Sequence, residues 1–503
     1  MATEVASYHS VQALSLDNLS TELLFLIFEQ LRDIDPRALA GVRELSKRFE
    51  AIAAPIQFDT ICLNERIIAP QTEIYFPRIL RYLHLFTRHI KVRSDLDPVN
   101  ARRVLDRAQR LSSLRWRYVG AQPHSGFFST PSDILSPHHI KINGARLYVE
   151  DLPLKSFDSG SYDTYLRAIP ASNLVSLKMA SPTSPLTTHP ESLKRLLLEA
   201  RLINTLHYSD RGQGTQFLFK ENERLPAFEE LSLRSYDWNH SVDEVRNHWD
   251  FSRLQHLTLL DVPMSQFLSS VPFEELHQLH TLYFEDLSAH LPDERQEATR
   301  SLYKLTQQIE ALHTLRIICH TDVFPVCGLL RHAESLHILS IRDYMGFGDE
   351  RRRCPTMRVE DLTRLSRNLL NLNSLELDMD AALCEPALFL QALCNFPELE
   401  SLVLHTQTVL NPFDTVYYYI DPDYEAAMKA FSSLVKGKQG RPWRSITINI
   451  GGWKPVMVRR ISEAWQELNR RGIYAERCFV LEREEVSGKI TVREEMGVGN
   501  SYV

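Results

Sequence analysis

From Leu174 onward the sequence repeats one phrase: LVSLKM at 174, INTLHY at 203, FEELSL at 228, LQHLTL at 254, LHTLYF at 279, LHTLRI at 312, LHILSI at 336, LNSLEL at 372 and LESLVL at 399. Each copy is an apolar residue, two free positions, leucine, one free position and a second apolar residue. The leucine and the closing residue are two apart, the spacing that puts both side chains on one face of a short strand. Weaker copies stand before the series at LSSLRW (Leu111) and after it at WRSITI (Trp443). From 174 to 399 the phrase advances 225 residues in eight steps of 24 to 36, a mean of about 28. A strand this short cannot bury its own apolar edge, so the copies must stack on one another.

The period and the phrase resemble those of leucine-rich repeats, which implies an α/β solenoid with one strand and one helix or turn per unit. No asparagine recurs at a fixed position, which points to divergent, helix-containing repeats with insertions such as MGFGDERRRCPTMRVED at 345–361. Alternation turns the leucines inward and leaves the residues between and just after them on an exposed concave face. That face would carry Arg234, Thr258, Tyr283, Arg316, Arg342, Glu376, Asp378 and His405. Arginine and tyrosine are enriched at binding hot spots, so the middle of the series, Tyr283 to Arg342, is the candidate partner surface. The alternative is plain: an exposed strand face must be polar whatever it binds.

The N-terminal segment obeys a different period. In LSLDNLSTELLFLIFEQL, Leu16, Leu19, Leu23, Leu24, Ile27, Phe28 and Leu31 follow the i, i+3, i+4, i+7 spacing of an amphipathic helix, with Ser20 at its N-cap. Pro36 suits the start of a second helix, and SKRFEAIAAP reads as a third, stopped by Pro55. Leu39, Val42, Leu45, Phe49 and Ile52 are the expected inner residues. A core of this size is near the lower limit for independent folding, so the apolar surface exceeds what the three helices can bury alone.

These residues resemble an F-box, the segment that docks substrate receptors onto the Skp adaptor of cullin-RING ubiquitin ligases. The matching positions are Leu19, Glu22, Leu23, Leu24, Ile27, Phe28, Leu31, Leu39, Val42, Leu45, Ser46, Lys47, Arg48 and Phe49. Ser20 departs from the proline usual after the first leucine. The run through AAPIQFDTICLNER into the next segment is similar to fungal F-box proteins. The resemblance implies a Skp-family adaptor, and through it a cullin, as partners, with Leu19, Leu23, Leu24, Ile27, Phe28, Leu31, Val42 and Phe49 docking. The chain would then be the substrate-recognition subunit of an SCF-type E3 ligase, binding a protein target whose identity the sequence does not carry. Two other readings stay open: a repeat scaffold whose N-terminal helices only cap the solenoid, and a receptor with a small-molecule pocket.

The expected organisation is a tail at 1–15, the three-helix F-box at 16–60, the irregular repeat solenoid at 61–455, and an α/β cap and tail at 456–503. The cap is read from RRISEAWQELNRRGIYAERCFVLEREEVSGKITVREE as a helix, a strand, a turn at Ser487-Gly488 and a second strand. A net charge of −7 argues against nucleic acid or an anionic membrane as the main partner. The longest uninterrupted aliphatic and aromatic run, Leu23 to Phe28, is too short to span a bilayer. Seven cysteines without any CxxC fit a reducing compartment, so a cytoplasmic or nuclear location is expected. Arg351 to Arg353 are too few for a nuclear signal.

No GxSxG, HExxH, GxGxxG or P-loop pattern occurs, and SGK at 487–489 lacks its flanking residues. The expectation is therefore a non-catalytic subunit with no cofactor and no dedicated metal site. One residual pattern is histidine after the first leucine in three consecutive copies, His280, His313 and His337. Such a row could bind a metal or repel itself when protonated, and is read here as a surface habit of the repeat. His277 and His280 straddle the turn into a strand and are not a helical ligand pair. The Ser/Pro/Thr-rich stretches 124–139 and 180–192 are read as loops.

Overall fold

In the computed structural model of the chain, residues 16–119, 130–135, 144–152, 165–180, 190–210, 215–285, 292–343, 354–407, 422–451, 477–485 and 487–495 are described. The Ser/Pro/Thr-rich stretches lie mostly outside them, as do most of the 345–361 insertion and the helix expected after Trp443. The chain divides into two compact units, Met1–Leu177 and Lys178–Val503.

The first unit opens with three helices, α1 (Thr21–Ile34), α2 (Ala38–Leu45) and α3 (Lys47–Phe58). The Ser20 hydroxyl accepts from the Leu23 N–H at 3.3 Å, and the Ser46 hydroxyl accepts from the Phe49 N–H at 3.1 Å, so a serine begins both α1 and α3. Leu24, Phe28, Leu39, Phe49, Ile52, Ala53 and Ile56 form one core, with Leu19, Leu31 and Val42 packed against it. The Phe28 and Phe49 rings meet edge to face at 5.5 Å. Arg48 donates to the backbone carbonyls of Asp17 and Leu19, tying the approach to α1 onto α3. The third helix does not stop at Pro55. It runs on to Phe58, because the missing proline N–H costs one late bond while Ile56 and Phe58 gain burial. Leu45, expected inside, is exposed.

Phe58 is also the first residue of a further copy of the phrase, FDTICL, whose strand is β1 (Thr60–Cys62). Strands β2 (His89–Arg93), β3 (Ser113–Arg117) and β4 (Arg146–Leu152) follow in parallel, one beside the next. Strand β5 (Leu174–Met179) runs across the division of the units.

The second unit holds β6 (Thr205–Ser209), β7 (Glu230–Arg234), β8 (His256–Leu260), β9 (Thr281–Glu285), β10 (Thr314–Cys319), β11 (Ile338–Asp343), β12 (Ser374–Met379), β13 (Ser401–Gln407) and β14 (Ser445–Gly451). Each pairs in parallel with the next in chain order. Every one of them begins at the third residue of its phrase. The phrase leucines Leu206, Leu231, Leu257, Leu282, Leu315, Leu339, Leu375 and Leu402, with Ile446, are no more than 1% exposed. A one-residue slip would turn that whole row to solvent, so the register is fixed by burial. The unit ends with an antiparallel hairpin laid on β14, β15 (Arg477–Arg483) and β16 (Ile490–Glu495).

Step length follows the connector. The 33-residue step from 279 to 312 holds the helix Pro292–Gln308, whereas the 24-residue step from 312 to 336 holds only the 3-10 turn Val326–His332. This is a mixed α/β repeat solenoid of one strand per repeat, with irregular outer connectors.

Candidate functional site

Two surfaces bear on function, one in each unit. The first is on α1. Its core-facing residues are Leu24 and Phe28. A second set, Leu23, Leu26, Ile27 and Ile34, is 50%, 57%, 41% and 81% exposed. At 100° per residue these four fall within an arc of about 100° and form a continuous apolar stripe. The run LLFLIF carries more apolar residues than one helix face can bury, and that surplus was the sequence signal for Leu26.

The stripe divides the residues expected to dock. Leu23 and Ile27 are exposed; Leu19, Leu31 and Val42 are partly buried against the helical core; Leu24, Phe28 and Phe49 lie within it. Leu24, Phe28 and Phe49 therefore act on any partner through the fold of the helices, not by touching it.

The second surface is the polar face of β7–β14. Register places Thr258, Tyr283, Arg316, Ser340 and Glu376 in one cross-strand row. Arg342, Asp378 and His405 stand one pleat further on, and Arg234 lies earlier on β7. Arg316 is exposed and Tyr283 half-buried, its hydroxyl donating to Glu285 Oε2 at 3.1 Å. From Ser340 onward the face is internally paired. The Ser340 hydroxyl donates to Glu376 Oε2 at 2.9 Å, and His405 Nε2 lies 2.8 Å from Glu376 Oε1. Arg342 Nε donates to Asp378 Oδ1 at 3.2 Å, while the Asp343 N–H donates to Asp378 Oδ2 at 2.6 Å. Asp378, expected on the exposed face, is only 4% exposed, because these two donors draw it in. The site residues brought together are thus Arg342, Glu376, Asp378 and His405; Arg234 stands apart from them. Ser340, which the sequence reading passed over, is the bridge between β11 and β12.

The electrostatics follow from those bonds. Burial alone would raise the Glu376 carboxyl, but the His405 hydrogen bond and the charges of His405 and Arg342 outweigh it and hold the group at about 2. Glu230 is likewise held at about 2, first by its hydrogen bond from His207. Chemically the Ser340–Glu376–His405 set does not activate a nucleophile. The only base facing the Ser340 hydroxyl is the Glu376 carboxylate, which at about 2 is too weak to take its proton, and the imidazole lies on the far side of that carboxylate.

Two other groupings complete the site inventory. His320, Asp322 and Asp343 each place one ligand atom within 4.8 Å of the others, beside a cavity of about 440 Å³ that reaches Thr321, Arg358 and Asp378. Asp343 Oδ2 there already accepts from the Thr321 N–H at 2.8 Å and hydroxyl at 2.9 Å. In the first unit, Lys91, Arg115 and Arg146 line a cavity of about 650 Å³ with His89 and Tyr148, and no carboxylate is among its lining residues. Cys319 and Cys354 are buried, and burial pushes both thiols up, with the Asp343 and Asp378 carboxylates adding to it. They are not reactive thiols.

Among the described residues no helix is long and apolar enough to cross a membrane. No protein-family model matches the chain, and no curated protein matches it. Among solved structures it is similar to the leucine-rich repeat-containing protein LegL7 from Legionella pneumophila, at 13% identity, with 75% of this chain and 97% of that chain covered and a TM-score of 0.26.

Proposed function

We propose that the chain is a substrate-recognition subunit of an SCF-type ubiquitin ligase, docking on a Skp-family adaptor through α1 and holding a protein target on the repeat face. The observation that carries this reading is the stripe of Leu23, Leu26, Ile27 and Ile34, apolar and exposed on a helix whose opposite side already has a complete core. Burying those four side chains is worth several kcal/mol at about 25 cal/mol per Å², which an adaptor helix would recover and solvent does not. The F-box pattern also acquires physical roles: Ser46 caps α3, Arg48 fastens the chain before α1, and Phe49 fills the core. The subunit would work by proximity, raising the effective concentration of a target lysine near a charged thioester formed elsewhere.

The scaffold reading has one observation in its favour. Phe58 closes α3 and opens the first repeat, and its ring packs on Tyr82 at 5.1 Å, so no linker separates helices from repeats. The two readings part on the stripe. Co-expression with a Skp-family adaptor, followed by size-exclusion chromatography, compares wild type with a Leu23→Asp/Ile27→Asp variant. A 1:1 complex for wild type, lost in a variant with unchanged circular dichroism, supports the receptor. A wild-type protein that elutes alone in the presence of the adaptor overturns it.

A further inference from the structure

The residue just before each of the parallel strands β6 to β14 forms a continuous backbone row. The His280 N–H donates to Gln255 O at 2.8 Å, that of His313 to His280 O at 2.8 Å, and that of His337 to His313 O at 2.9 Å; the row continues through Asn373, Glu400 and Arg444. Polar residues occupy every one of these positions, but three consecutive ones are histidine. Backbone spacing therefore forces their rings side by side, with centroids 5.0 Å apart for His280–His313 and 5.9 Å for His313–His337.

That spacing matches a coordination geometry. An imidazole nitrogen binds a zinc-class ion at about 2.0–2.1 Å, which puts the ring centroid about 3.2 Å from the metal. Two imidazoles at a tetrahedral angle then have centroids about 5.2 Å apart. The His280–His313 pair already stands at 5.0 Å. His313 and His337 are exposed and His280 half-buried, so an ion reaches the row from solvent. The tautomer of the outer ring is set as well. His337 Nδ1 lies 2.6 Å from the Ser335 carbonyl oxygen, which can only accept, so Nδ1 carries the proton and the Nε2 lone pair is left for a metal.

From the row and its spacing we infer a binding site for a divalent transition-metal ion, of the zinc class, between His280 and His313, with His337 at its border and water completing the shell. Imidazole ligands favour zinc, nickel and copper over magnesium and calcium, which take oxygen ligands. The ion would join the strand entrances of neighbouring repeats that have the longest connector of the second unit's early steps between them, Pro292–Gln308. Its effect would be to stiffen the repeat stack at that point, independently of what α1 binds.

The test is calorimetric titration of the full chain with zinc chloride at neutral pH, alongside His313→Ala, His280→Ala and His277→Ala. His277 is off the row, with Nδ1 on the Glu274 carbonyl at 2.8 Å. The comparison separates this site from zinc taken up by exposed thiols such as Cys62 and Cys327, which all the variants keep. Wild type and His277→Ala should bind one zinc ion that His313→Ala and His280→Ala bind at least tenfold more weakly. Zinc should also raise the melting temperature of the first pair only. Equal zinc affinity in wild type and in a folded His313→Ala overturns the assignment, and so does a wild type whose melting temperature zinc leaves unmoved.

Discussion

His405 Nε2 on β13 lies 2.8 Å from Glu376 Oε1 on β12, and Ser340 on β11 closes on the other oxygen of the same carboxylate at 2.9 Å. Three neighbouring repeats are therefore joined on their polar face by one acidic group. Because Glu376 is held at about 2 when folded, against an ordinary value of 4.5, it stabilises the fold above pH 4.5, and that contribution is lost as pH falls toward 2. His405→Ala should cost about 1.5–3 kcal/mol at pH 7, the usual scale for a hydrogen bond to a charged group. The gap between variant and wild type should narrow on acidification, since the variant no longer holds the carboxyl down. Urea unfolding at pH 7 and pH 3.5 reads both numbers, and a gap that stays constant would exclude this coupling.

The pairing of Arg342 with Asp378 separates structure from recognition on that same face. Asp378 is buried and fixes Arg342, so Asp378→Ala should destabilise by about 3 kcal/mol, the scale for losing one partner of a buried pair. Arg316 is exposed and should behave as a surface residue, with Arg316→Ala within about 0.5 kcal/mol of wild type. Denaturant midpoints of the two variants provide the comparison. Only Arg316 and residues like it can then be tested for target binding without confounding loss of fold.

Much of this was legible in the sequence because the repeat imposes two constraints at once, a period and a parity. The phrase fixed where β6 to β14 begin, and parity put Leu206, Leu315 and Leu402 inside. The strands of the first unit were harder. At β2 the first phrase position is Thr87, fully buried but polar, its hydroxyl donating to Phe58 O at 2.8 Å; at β4 it is Gly144. A search for an apolar first residue passes over both. The β1 copy was hidden differently, since Phe58 serves α3 as well. On the polar face, alternation told which residues leave the core but not which pair with one another. Asp378 was misplaced for that reason: parity sends it outward, and the donors of Arg342 and Asp343 bring it back in.

On α1, two residues three positions apart should respond in opposite ways. Leu24 is fully buried, so Leu24→Ala should cost about 2–5 kcal/mol, felt first as local opening of the three helices. Ile27→Asp lies on the exposed stripe and should shift stability by no more than about 0.5 kcal/mol. Amide exchange across residues 16–60 distinguishes them: protection should collapse in the first variant and persist in the second. Collapse in both would mean that the stripe packs against the chain itself.

Two glycines with nearly the same backbone should differ because of what surrounds them. Gly440 has φ +80° and Gly488 φ +67°, both in the left-handed region where a side chain costs about 1 kcal/mol. At Gly488, in the β15–β16 turn, a Cβ would meet nothing within 4 Å, so Gly488→Ala should cost only that backbone penalty. At Gly440 a Cβ would stand 2.3 Å from the Pro397 carbonyl oxygen, which also accepts the Arg441 N–H at 2.8 Å. The obstacle is backbone that is itself bonded, so it cannot step aside without breaking the connection between the helix Pro422–Gly437 and β14. Gly440→Ala should therefore exceed Gly488→Ala by at least about 2 kcal/mol, with the loss centred on the last parallel repeat. Thermal unfolding of the two variants side by side decides it, and equal melting temperatures would show that the Pro397 contact yields freely.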